Sequence, residues 1–308
     1  MYEWLYQWAA GAKAPDALSE NVPLAKLTTF AIGGPACFVA RPSDERELAD
    51  LLAGLKQNAL PYVLLGRGSN VLAEDGGYPG CVVLLSHFDN FRVYGNKITA
   101  GAGIVLGALA QAAKDASLTG LEFASGIPGS LGGALFMNAG AYGGEMSQIV
   151  RTVIVLDEEG HIKALSGDEM NFSYRHSLLQ EKPYIALSAE LELQKGDYDA
   201  IREKMTELAQ KRREKQPLEF PSAGSAFKRP EGYFAGALIE EASLKGVRVG
   251  GAVVSPKHAG FIVNTGHATS DDVQTLFAFV KKSVLENSGV TLHPEVRILR
   301  AEGLTELE

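Results

Sequence analysis

Cysteine is scarce: Cys37 and Cys81 are the only two in 308 residues. Two thiols cannot build the bridge framework of a small secreted domain, and no CxxC or Cys/His cluster suggests a structural metal. Both sit among small or apolar neighbours, so two buried free thiols are expected, and metal ligands are not. Long apolar runs are missing as well. No stretch approaches the roughly 18 residues of a membrane span. The opening segment MYEWLYQWAAGAKAPDALSE lacks the basic start and apolar stretch of a signal peptide. It predicts a short amphipathic helix with Trp4, Leu5 and Trp8 on one side. A cytoplasmic protein without a membrane partner is the expectation. Basic excess is absent too: 29 Lys and Arg face 37 Asp and Glu, a net charge of −8, which argues against a nucleic-acid partner. The phosphate-loop pattern GxxxxGK[ST] does not occur, which argues against ATP chemistry of that kind. Nothing fixes the oligomeric state, and a monomer is expected.

Glycine is plentiful, with 34 residues, and clustered. The length suits about two domains. Residues 26–41 read as a strand broken at Gly33-Gly34-Pro35. Ser43 is the expected cap of a helix carrying Leu48, Leu51, Leu52 and Leu55 on one face. A strand at 62–65 then ends in Gly66-Arg67-Gly68-Ser69-Asn70. A strand at 81–85 and a hairpin through Gly95-Asn96 follow. The strand at 97–100 enters Gly101-Ala102-Gly103 and a helix near 105–117. Strands are expected at 150–156, 161–165 and 184–193, and a helix at 198–215 with Ile201, Met205 and Leu208 inward. Its Lys211-Arg212-Arg213 end reads as a solvated tip. Pro217 and Pro221 mark a linker or hinge. Beyond it come a helix at 235–245, strands near 247–254 and 260–264, a helix at 270–287 capped by Ser270, and a strand at 295–300.

Residues 126–144 hold seven glycines in nineteen residues and no charge. A surface loop of that length should be polar and a linker rich in Ser and charge. An apolar, glycine-rich loop instead suits packing against something flat and large, such as a flavin. Glycine permits positive φ and close approach of a ligand, and successive N–H groups in such turns bind anions.

In order and spacing, TTFAIGGPA (28–36), GRGSN (66–70), GIPGSLGGALFMNAGAYGGE (126–145), SYRHS (173–177), PSAGSAFKRP (221–230), KHAGFIVN (257–264) and HPEVR (293–297) form a set. Together they resemble the UDP-N-acetylenolpyruvoylglucosamine reductase (MurB) family, over roughly residues 20–300. The resemblance implies an α+β architecture: a vanillyl-alcohol-oxidase/PCMH-type FAD-binding fold of two α+β subdomains plus a C-terminal α+β substrate-binding domain. The expected division is 1–80, to which 298–308 return, then 81–198, then 199–297. The chain lacks the insertion that carries a substrate-capping Tyr and so resembles the shorter branch.

The implied reaction is NADPH-dependent reduction of an enolpyruvyl ether through non-covalent FAD. Ser225 matches the family's proton donor, Arg175 its catalytic arginine and Glu295 its catalytic glutamate. Which of Ser225 and Glu295 delivers the proton directly stays open. The implied FAD contacts are Gly66, Arg67, Gly68, Ser69 and Asn70 in the first turn, and Gly101 and Gly103 in the second. In the long motif they are Gly126, Ile127, Pro128, Gly129, Ser130, Gly132, Gly133, Asn138, Gly140, Ala141 and Tyr142. The nucleotide sugar falls to Lys215, Lys228, Arg229 and His258. Arg229 stands where other branches carry Asn, and His258 takes the place of a Gln. Two alternatives stand beside this reading: an alcohol or hydroxy-acid oxidase or dehydrogenase of the same FAD fold, and a non-catalytic nucleotide-sugar-binding module.

Overall fold

A computed structural model describes residues 2–307. Helix α1 (Glu3–Gly11) buries Leu5 and presses Trp4 on Gly54 of α2 (Glu45–Gln57), where any Cβ would collide with the indole. Trp8 Nε1 donates to the Glu47 carbonyl at 3.0 Å. The cap of α2 is Asp44 rather than Ser43. The Asp44 carboxylate reaches the Glu47 N–H at 2.8 Å, whereas Ser43 lies one residue too early and instead donates its own N–H to Glu47.

The N-terminal part supplies β1 (Leu18–Pro23), β2 (Pro35–Ala40), β3 (Tyr62–Leu65), β4 (Val71–Ala73), β5 (Tyr78–Leu84), β6 (Phe91–Tyr94) and β7 (Lys97–Gly101). The first sheet has the order β1-β2-β5-β3, with β2, β5 and β3 parallel. Helix α2 is the crossover that parallel pairing requires. Because β5 stays whole in this sheet, the expected boundary at 80/81 falls inside a strand. Cys81 is buried and its thiol is pushed up to about 12 by that burial. Cys37, expected to be buried, is exposed, because the β2 pleat turns Phe38 inward and Cys37 outward.

The second sheet is antiparallel and runs Ile162–Ser166, Val150–Leu156, Ile185–Glu192, β7, β6. Its β6–β7 hairpin pairs Tyr94 with Lys97 and turns on Gly95 at φ +61°, as the Gly-Asn dipeptide predicts. Helices α3 (Leu106–Asp115) and α4 (Leu131–Phe136) cover it. Helix α5 (Tyr198–Lys215) packs against α3 and the turn at Glu122–Ala124, so it lies on the second unit and not on the substrate domain.

The C-terminal unit has strands Arg248–Val249, Ala252–Val254 and Ile262–Asn264 under α6 (Ala235–Glu241) and α7 (Ser270–Ser288). Thr269, not Ser270, caps α7, in a reciprocal box with Asp272. Helix α6 ends early, before Ser243 at φ +59°. The expected linker is stitched down. Asn264 N–H donates to the Pro221 carbonyl at 2.9 Å, and Ser222 N–H to Thr29 at 3.1 Å. Thr29 Oγ1 donates to the Ser222 carbonyl at 2.6 Å. The prolines end α5, but these bonds hold the chain beyond them, and the TTF motif serves that purpose. Strand Arg297–Arg300 returns to pair in parallel with β4 of the N-terminal part. Among the described residues no helix is long and apolar enough to cross a membrane.

Candidate active site

Beyond β3 the chain turns through Gly66–Asn70 into β4. Gly68 sits at φ +60°, and a Cβ there would lie 2.1 Å from the Leu27 carbonyl oxygen, so only glycine fits. The N–H groups of Arg67, Gly68 and Ser69 have no partner among the described residues. Such a row of free donors makes an anion-binding concavity. The glycine-rich segment faces it. A Cβ on Gly66 would sit 2.9 Å from Ser130 Oγ, and one on Gly129 would sit 3.7 Å from Ser69 Oγ. Gly133 is exposed, with Ser130 Oγ 3.7 Å from where its Cβ would lie, whereas Gly129 is buried; Gly126 and Pro128 are exposed, and Ile127 is half-buried.

Other glycines answer to the protein's own backbone. A Cβ on Gly101 would meet the Phe88 carbonyl at 2.1 Å, and one on Gly103 the Leu85 carbonyl at 1.8 Å. One on Gly140 would meet the Gly144 carbonyl at 2.7 Å, and one on Gly132 Ala102 at 3.2 Å. Close chain packing, independent of any ligand, therefore requires Gly101, Gly103 and Gly140. Ala141 follows in the short hairpin with Gly144–Glu145, and Tyr142 is exposed at φ +54°. The buried Asn138 commits its amide to the Ser173 carbonyl at 3.0 Å and the Ser147 N–H at 2.9 Å. It braces the neighbouring turn.

The three expected catalytic residues come from three distant segments and meet beside this cradle. Gly224, at φ +76°, stands with its Cβ position 3.9 Å from the Ser69 carbonyl, so the Ser225 loop touches the GRGSN turn. Ser225 is exposed. The next residue, Ala226, accepts the Glu295 N–H at 2.9 Å, and Asn70 Nδ2 donates to the Glu295 carbonyl at 2.9 Å. Arg175 Nε donates to Glu295 Oε1 at 2.8 Å, with side chains 21% and 11% exposed. This is an enclosed pair, not a solvated one. His176 stays outside it, bonded to Glu181 at 2.7 Å.

Burial raises the Glu295 carboxyl above its ordinary range, and Arg175 and Lys228 offset that only in part. The folded state therefore holds the Glu295 proton more tightly than the unfolded chain. The associated stability is full at low pH and is lost as pH rises through the raised value. Glu295→Gln should accordingly raise the melting temperature at about pH 8 and lose that advantage near pH 5. Thermal melts of the two proteins across this range check the sign.

The expected substrate cations divide. Lys228 Nζ pairs with Glu306 at 3.3 Å. The Arg229 guanidinium lies 4.0 Å over the Phe234 ring, while the backbone N–H of Arg229 donates to Tyr174 Oη at 3.0 Å. These residues, with Tyr174, Lys281, His293 and Arg300, line a cavity of about 920 Å³. Lys215 is exposed at the other side of the site, near enough to His258 to disfavour its charge. His258 Nδ1 accepts the Gly260 N–H at 3.0 Å, which leaves the proton on Nε2. Burial lowers its pKa and keeps it neutral.

Two arginines were not expected here. Arg212, read as part of a solvated tip, is half-buried against Gly126, and among the described residues it has no carboxylate partner. Desolvation lowers its pKa. The helical spacing already held the signal, since Arg212 lies four residues after the buried Leu208 on the same face. Arg297 sits with its guanidinium 5.3 Å from the Phe136 ring centre and its Nε buried without an acceptor. Glu295 lies two residues before it, outside the strand, and the two line one small pocket with Met137 and Arg175.

Comparison with known proteins covers the same ground. Residues 216–299 match the family model "UDP-N-acetylenolpyruvoylglucosamine reductase, C-terminal domain", and residues 36–166 match "FAD binding domain". A UDP-N-acetylenolpyruvoylglucosamine reductase of Caldanaerobacter subterraneus is 53% identical over 91% of this chain and 92% of its own. One from Clostridioides difficile is 50% identical over 92% and 94%. The crystal structure of the Thermus caldophilus enzyme (MurB) superposes with a TM-score of 0.77 at 37% identity, covering 90% of this chain and 97% of that one. With half of its residues shared across nearly the whole length of such relatives, and the motif-bearing loops converging as described, this chain belongs to the UDP-N-acetylenolpyruvoylglucosamine reductase family.

Proposed function

We propose that this protein reduces UDP-N-acetylglucosamine enolpyruvate to UDP-N-acetylmuramate, with NADPH as reductant, in the bacterial cytoplasm as a step toward peptidoglycan. The observation that carries this reading is the meeting of the Ser225 loop and the Arg175–Glu295 pair at the edge of a glycine-rich cradle.

The cradle fits a flavin dinucleotide. It offers N–H groups at Arg67–Ser69 without a partner among the described residues, an exposed glycine surface at Gly126 and Gly133, and two cations, Arg212 and Arg297, that lack protein acceptors there. A pyrophosphate supplies the missing negative charge. When bound there, FAD supplies a hydride equivalent, drawn from NADPH, for the vinyl C3 of the substrate.

The protein's residues handle the charge that follows. Glu295 holds Arg175 by Nε and the Gly140 carbonyl accepts from Nη1 at 3.5 Å, which leaves Nη2 and the second Nη1 hydrogen for the substrate carboxylate. As charge develops at C2 and spreads into that carboxylate, the fixed cation stabilises it. Ser225 delivers a proton to C2. A serine hydroxyl is a weak acid, and an enolate is basic enough to take its proton. Lys228 and Arg229, which line one cavity, are the local cations for the diphosphate in a protein of net charge −8, and Lys215 stands apart from them.

The test is product analysis. With NADPH and the enolpyruvyl sugar nucleotide, the holoenzyme should form a product two hydrogens heavier, one stoichiometric with NADPH consumed. Consumption of NADPH without that product would refute the substrate assignment. A second prediction concerns Arg212. Arg212→Leu should weaken FAD binding by about tenfold or more, the loss of one charge-assisted contact, while the melting temperature of the apoprotein holds or rises. Titration of apoprotein with FAD measures it.

A further inference from the structure

Arg175 occupies a backbone conformation that an arginine rarely adopts. It is the second of two residues between Ser173 and His176, whose backbones exchange hydrogen bonds of 3.2 Å in both directions. Its φ is +56°. Gly or Asn ordinarily fills such a position, and a longer side chain persists there only where its surroundings hold it.

Two side chains hold the turn itself, and a third anchors the chain just beyond it. Asn138 fastens the entry of the turn through the Ser173 carbonyl. Ser177 Oγ donates to the Phe136 carbonyl at 2.9 Å. Gln180 does something neither of the others does. Its Nε2 donates to the Arg175 carbonyl at 2.9 Å and, with its second N–H, to the Phe136 carbonyl at 2.8 Å. Both donors of one amide are thus used. Phe136 is the last residue of α4, inside the glycine-rich segment. Gln180 is the direct tie between the peptide of the arginine and the floor of the cradle.

We propose that Gln180 is a positioning residue for the reaction, holding the strained Arg175 turn so that the guanidinium meets the substrate carboxylate in register with the cradle. The inference rests on the reading of Arg175 as the carboxylate-binding group. The tie acts on backbone atoms one bond sequence away from the chemistry, and displacements of about 1 Å there suffice to lower a rate by up to 10²-fold.

The experiment compares holoenzyme variants Gln180→Met and Ser177→Ala in separated half-reactions. Gln180→Met keeps the bulk and removes both donors. Flavin reduction by NADPH should stay within about twofold of wild type, while KM for the enolpyruvyl substrate rises about 10- to 100-fold. Hydrogen exchange at the His176 amide, bonded to Ser173, should quicken by about tenfold or more. Ser177→Ala removes a bond to Phe136 alone and should leave the second half-reaction within about threefold of wild type. If Gln180→Met folds poorly, Gln180→Leu removes both donors with a shorter apolar side chain. An unchanged KM in the Gln180 variant overturns the proposal, and so does an equal loss in Ser177→Ala, which would trace the effect to the end of α4. Failure of the wild type to turn over the enolpyruvyl substrate would instead defeat the proposed function. In that case the His176 exchange rate still decides whether Gln180 holds the turn.

Discussion

Ser225→Ala should remain yellow and be reduced by NADPH within about twofold of the wild-type rate, yet return its electrons to the enolpyruvyl substrate about 10²- to 10⁴-fold more slowly. The expectation follows from placement. The Ser225 loop is pinned on both sides of the hydroxyl: Gly224 packs against Ser69, and Ala226 bonds Gly260 at 2.8 Å and Glu295 at 2.9 Å. Ser225 between them is exposed. Removing its hydroxyl deletes a proton source without disturbing the bonds that shape the loop. Ser225→Cys should recover part of the rate, because a thiol is a stronger acid than an alcohol. Equal slowing of both half-reactions, or of neither, would remove Ser225 from its role and leave Glu295 as the proton source.

Arg175→Lys should lower kcat/KM for the enolpyruvyl substrate on the order of 10²-fold, about 3 kcal/mol of transition-state stabilisation. The guanidinium has two tasks at once. Its Nε is taken by Glu295 at 2.8 Å, and of its outer nitrogens only Nη1 has an acceptor among the described residues, the Gly140 carbonyl at 3.5 Å. A lysine ammonium is a single point charge on a flexible stem. Beside a buried carboxylate it would pair with Glu295 and leave the substrate without its planar fork. The loss should fall chiefly on KM for the enolpyruvyl substrate, and steady-state kinetics with varied substrate separates it from any effect on NADPH. A lysine variant with wild-type kcat/KM would show that the charge alone suffices.

Much of this was legible before the structure. The hydrophobic spacing of α2 and α7 and the Gly95-Asn96 hairpin placed the elements close to their observed bounds, because local periodicity and turn chemistry govern them. The motif set named Ser225, Arg175 and Glu295, and the structure brings their segments together, with Glu295 bonded to Arg175 and to the residue after Ser225. What sequence hid were properties that depend on contacts across the chain. Asp44 and Thr269 displaced the expected caps by one residue, since a cap is decided by which oxygen reaches the N–H. The expected hinge at 217–221 proved stitched by Thr29, a partner far away in sequence. Several motif glycines looked like ligand contacts but are required by carbonyls at Phe88, Leu85 and Gly144. Arg212 looked like a charge at a helix tip because composition there is basic, although its spacing from Leu208 pointed inward. Gln180 carried no motif at all, and only its two carbonyl partners reveal it.

The account as a whole stands on electrons passing from the glycine-rich cradle to an enolpyruvyl carbon beside Ser225. Anaerobic holoenzyme, bleached by one equivalent of NADPH and then mixed with UDP-N-acetylglucosamine enolpyruvate, tests this directly. The flavin absorbance should return in full as UDP-N-acetylmuramate appears in equal amount. A flavin that stays bleached with that substrate, yet recovers its colour with oxygen, would contradict it.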